Sequence, residues 1–140
     1  MTQRLSKAKA VLGDVVLTGG LTMERCKTVS LTASDSGGGV AAWTPGKAVM
    51  VTKVIIDVTT ASSGACTVDI GVAANATTLS DTLIDGLSVA SIAVSDNIDD
   101  KGTNGGFGRK VSSSQSVTAS RASGASSGLV GNLYIFYVEI

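Results

Sequence analysis

Oxygen-bearing side chains gather between positions 96 and 104: Asp96, Asn97, Asp99, Asp100 and Asn104, with Gly102 to relax the backbone. Hard carboxylate and amide oxygens are what a calcium ion takes, in sets of about six to eight. The spacing lacks the EF-hand order and its closing bidentate Glu, so Asp96, Asp99, Asp100 and Asn104 form a candidate metal set beside a plainer reading, a solvated turn. A pair such as Asp96 and Asp99 also has the groups a glycosidase uses, one as acid and one as base or nucleophile. Composition closes most other chemistry. With no histidine in the chain, Ser-His-Asp and Cys-His nucleophiles are excluded, as are His-bearing metal sites. Two cysteines, Cys26 and Cys66, cannot build a four-thiolate zinc site. Gly105-Gly106-Phe107-Gly108 stands outside any GxxxxGK[ST] or GxGxxG pattern, so it is not a phosphate cradle. The expectation is a protein that is not an enzyme and carries no cofactor.

The elements that must position these residues read as strands. Residues 49–60, VMVTKVIIDVTT, place Met50, Val54, Ile56 and Val58 on one face of a period-two strand and Lys53 and Asp57 on the other. Residues 66–72 place Cys66, Val68, Ile70 and Val72 together, with Thr67 and Asp69 opposite. The link Ala61-Ser62-Ser63-Gly64, with Gly64 at positive φ, predicts an antiparallel hairpin between the two. Further strands are expected over 11–18, 27–33, 87–94, 107–111, 116–121 and 129–140. Residues 34–39 are breakers, and Trp43-Thr44-Pro45-Gly46 reads as a turn whose lone Trp plugs the end of a sandwich. Thr78 to Asp81 predict a short capped helical turn that folds Leu79, Leu83 and Ile84 inward. The sum is an all-β chain: an antiparallel β-sandwich, jelly-roll-like, of about eight short strands over 13–140, preceded by an N-terminal arm over 1–12.

The closing segment, LVGNLYIFYVEI, breaks the alternation. Tyr134, Phe136, Val138 and Ile140 are apolar on one side, and Leu133, Ile135 and Tyr137 on the other. Such a strand is central in a sandwich or covered by another subunit, and Leu133, Ile135 and Tyr137 are the expected interface. The basic side chains of the arm, Arg4, Lys7 and Lys9, are a second expected contact. Charged residues make up only 16% of the 140, against about 25% in ordinary globular proteins. Eleven bases balance eleven acids, which disfavours nucleic acid as a partner and costs self-association little repulsion. No apolar run approaches the roughly 20 residues that span a bilayer. Gly13 and Asp14 break the apolar run over 11–17, so no secretory signal is expected. Free thiols at Cys26 and Cys66, made in a reducing cytoplasm, follow from that setting.

TTASSGACTVDIGVAANATTLSDTLIDGL, DNIDDKGTNG and SGLVGNLYIFYVEI, within residues 48–140, resemble small virion structural proteins of tailed bacteriophages, among them capsid decoration and head-fibre or head-spike proteins. The resemblance implies a jelly-roll protein, often homotrimeric, attached to the capsid exterior and made in the host cytoplasm. Its partners would be the major capsid protein and copies of itself, with the arm held by an acidic capsid surface. The alternative within the same class is a head-fibre, spike or tail-associated module that binds host cell-surface glycan. No binding residues carry over from the class.

Overall fold

The computed structural model describes residues 23–32 and 39–140. The expected strand over 11–18 and the arm over 1–12, with Arg4, Lys7 and Lys9, lie outside them.

Among the described residues nine strands follow in chain order: β1 (Arg25–Thr32), β2 (Gly39–Trp43), β3 (Val49–Thr60), β4 (Cys66–Ala73), β5 (Ile84–Ser88), β6 (Ala93–Asp96), β7 (Arg109–Val111), β8 (Ser116–Gly124) and β9 (Val130–Glu139). They form two antiparallel sheets. The first, sheet A, runs β1-β9-β3-β6, with short β7 also on β3; the second, sheet B, runs β2-β8-β4-β5. Strands one, nine, three and six thus face strands two, eight, four and five. This is the double Greek-key wrap of a jelly roll.

That order corrects one expectation directly. β3 and β4 are not a hairpin: β3 pairs with β9, β6 and β7, while β4 pairs with β5 and β8. The link after Thr60 is a crossing between sheets. Ser62 N–H donates to the Val89 carbonyl and Ser63 N–H to the Ser127 carbonyl, so neighbouring loops hold the link in place. Gly64 has no positive φ. Two strands with one apolar face each can pair side by side or face each other across a core. Here they face each other.

The core is aliphatic. Val49, Val51, Val54, Ile56 and Val58 of β3 meet Cys66, Val68 and Ile70 of β4, Val117 and Ala119 of β8, and Leu133 and Ile135 of β9, all essentially closed to solvent. A bulge in β3, where the β9 register shifts between Val51 and Lys53, explains how Val51 and Val54 both point inward. Before the bulge the inward positions are odd; after it they are even. Met50, grouped with Val54 by strict period two, therefore lies on the outer face.

Smaller differences follow from the same packing. The expected strand over 87–94 is two strands, β5 and β6, in different sheets. No helix occurs among the described residues. The Asn75 side-chain oxygen accepts from Thr77 N–H (2.9 Å) and from both the Thr77 and Thr78 hydroxyls, closing a turn in place of the expected helical one. Leu79 is exposed, while Leu83 and Ile84 are buried as expected. The turn lies against the outer side of sheet B, where the Thr118 hydroxyl donates to the Thr78 carbonyl (3.2 Å).

Candidate interaction surface

The oxygen-rich stretch does not converge. Asp96 ends β6, and one carboxylate oxygen accepts from the N–H of Ile98 (2.8 Å) and of Asp99 (3.0 Å); the other pairs with Lys53 Nζ at 3.3 Å. The two backbone donors, Asp99 first, and then Lys53 hold the Asp96 carboxyl below its ordinary range. Asp100 turns back to accept from the Asp96 N–H (3.3 Å). Asn104 belongs elsewhere: its amide donates to Asp81 (3.2 Å) and Asp85 (3.0 Å). Asp69, beside them, accepts from the Gly86 N–H (2.8 Å); burial first, then the charges of Asp85 and Asp81, push its carboxyl up. Among the described residues no three or more His, Cys, Asp or Glu side chains gather to hold a metal. The proposed set Asp96, Asp99, Asp100 and Asn104 is therefore divided between a strand-end turn and a separate acidic group.

Asn97, next in the chain, is structural. Its side-chain oxygen accepts from the Val54 N–H (2.9 Å) and its amide donates to the Gly106 and Phe107 carbonyls (2.9 and 3.3 Å). It fills the gap where β6 has left the edge of β3 and β7 has not yet joined it.

The interface expected on β9 needs correction. Leu133 and Ile135 are fully buried between the two sheets, and Tyr137 is half-buried against the same core, its ring beside Trp43. β9 is central, flanked by β1 and β3, and this accounts for its inner grease without a partner. The other parity faces outward. Row by row, Val138 lies beside Met50 and Lys110; Phe136 lies between Cys26 and Lys53; Tyr134 lies between Thr28 and Ile55, with Asp96 beyond; and Asn132 leads across Asp57 to Val94. Met50, Ile55, Tyr134, Phe136 and Val138 are half-buried, while Val94 is 68% exposed. Lys53 and Asp96 neutralise each other within this face. Thr52 donates to the Glu24 carboxylate, which ties down the start of β1. Contiguous apolar faces rimmed by polar groups mark contact sites in soluble proteins.

Of these residues, Tyr134, Phe136 and Val138 were readable by parity. Ile55 and Met50 were hidden, Ile55 because it sits in an apolar run and Met50 because the bulge reverses its side. Both thiols are free, Cys26 exposed on this face and Cys66 buried, and burial pushes the Cys66 thiol up.

The fold defines a jelly-roll β-sandwich, an architecture shared by capsid proteins, lectins and cupins, so function rests on the surface and not on the fold. No family model, curated protein or solved structure matches the chain. Among the described residues no helix is long and apolar enough to cross a membrane.

Proposed function

We propose that this chain is a structural protein of a tailed-bacteriophage virion, a decoration protein that binds the outer capsid surface as a homo-oligomer, three copies in the class it resembles. The observation that carries the reading is the outer face of sheet A: an apolar, aromatic-bearing surface on which Lys53 and Asp96 pair with each other. A face of that kind contacts protein, and its low charge disfavours nucleic acid. The role is one of binding without catalysis. The basic arm, Arg4, Lys7 and Lys9, supplies the contact with the major capsid protein, and many such contacts repeated over a shell are collectively firm.

Co-sedimentation with phage capsids that lack the protein is the test. Saturable binding at a fixed number of copies per particle is expected, weakened by deleting residues 1–12. Binding to host-surface glycans on an array, with no binding to particles, would replace this reading by that of a spike or fibre module.

A further inference from the structure

We infer that the outer face of sheet A is where copies of this chain meet one another, and that it is not the surface that touches the capsid. The inference rests on the proposed assembly role and names the partner of the face just described.

Three features favour a second copy as the occupant. The first is charge. Lys53 and Asp96 cancel and Glu24 is held by Thr52, while the charges of the paired rows beyond that pair are of both signs, Lys110 beside Met50 at one end and Asp57 beside Val94 at the other. A second copy laid with its strands end to end over the first brings Lys110 to Asp57. A partner of one sign would satisfy only one end. Because both copies use the same face, the contact is isologous and closes as a two-fold pair.

The second feature is size. Strands of 8, 10 and 12 residues (β1, β9 and β3) with the short β6 and β7 beside them, about 4.8 Å apart and about 3.4 Å per residue, give roughly 600 Å² in plan. Side-chain relief raises that towards the about 800 Å² that each partner contributes to a standard interface. The third is composition. Tyr134 and Phe136, two apart on β9, sit centrally with Ile55, Met50 and Val138 around them and the self-neutralised Lys53–Asp96 pair among them, an aromatic-bearing patch of the kind that interfaces favour.

Sedimentation velocity of the full chain tests this. The wild type is expected to run as a dimer, and Phe136→Lys as a monomer, with self-association weakened at least tenfold. Phe136 points away from the core, so the Phe136→Lys melting curve should stay close to wild type. A charge exchange guards against a variant that merely misfolds. Lys110→Asp alone should weaken assembly, and Lys110→Asp combined with Asp57→Lys should restore it. A monomeric wild type, or a Phe136→Lys protein that folds and still assembles, overturns the inference. So does a Phe136→Lys protein that stays oligomeric but loses capsid binding. Particle binding by a monomeric wild type would leave the decoration role standing, whereas an oligomer that ignores particles would remove that role and keep this interface.

Discussion

Trp43 of β2 and Tyr137 of β9 meet across the two sheets with ring centroids 4.8 Å apart and planes tilted by 46°. Both rings pack on the aliphatic core from its margin, in a tilted geometry that aromatic pairs favour. Near them Glu139 accepts from Lys47 (2.7 Å) and lies 3.4 Å from Arg25. Trp43, expected in a turn, is instead the last residue of β2, but its ring packs on the core as expected, with Tyr137 as its partner.

Trp43→Ala should therefore destabilise the fold by about 2–4 kcal/mol, below or within the cost of removing a fully buried aromatic because the ring is half-exposed. Tyr137→Phe keeps the ring and should change little. Urea unfolding followed by circular dichroism checks both. In the wild type the fluorescence of this single Trp should change in step with the global transition, since it bridges both sheets.

Asn97 gives a second, sharper expectation. Its side chain serves one buried backbone donor and two carbonyls, so Asn97→Leu leaves those groups unpaired at a cost of about 3 kcal/mol. Hydrogen exchange at the Val54 amide should accelerate well beyond the global change. If Val54 stays as protected as its neighbours, the side chain is not what holds β6 and β7 in place.

Gly71 lies in β4 directly beneath the loop that follows it. A Cβ there would meet the Ser80 hydroxyl and stand 2.6 Å from the Thr82 backbone nitrogen. Gly71→Ala should cost about 1–3 kcal/mol by overpacking, read as a lowered urea midpoint. Thr82, whose hydroxyl accepts from the Val72 N–H, would be pushed off the sheet. Gly64→Ala, which has open space, should be near neutral and serves as the control.

Acid should expose the Asp96 turn. Its carboxyl is depressed in the folded protein, so the unfolded chain takes up the proton first as pH falls. The stabilisation is fully present above the ordinary carboxylate value near 3.8 and is lost as pH drops through the lower, folded value. Asp96→Asn should flatten that acid limb in denaturant titrations. Asp69 acts in the opposite sense: because burial raises its carboxyl, its contribution is present below the ordinary value near 3.8 and is lost as pH rises through the higher, folded value. Asp69→Asn, which removes that charge, should lessen the loss of stability as pH rises above 3.8.

Fold class was legible because side chains alternate in a strand whatever its neighbours are. Val54, Ile56, Val58, Cys66, Val68 and Ile70 were placed inward from spacing alone, and they are the core. The two faces of the last strand were likewise separable by parity, and the structure reversed only which of them is free. Pairing was not legible. The same apolar stripes on β3 and β4 serve a hairpin or a sandwich equally, and loops after Thr60, which bond to Val89 and Ser127, choose between them.

The sequence by itself determined the long strands, the inward residues of β4 and of β3 beyond its bulge, and the absence of His-based chemistry, because periodicity and composition are local properties. Only the tertiary structure decided that β3 and β4 face each other, that a bulge turns Met50 outward, and that Asn104 leaves Asp96 for Asp81 and Asp85. Each of those depends on a backbone distant in the chain, and the sheet ladders and close packing that fix it exist only once all nine strands are in place.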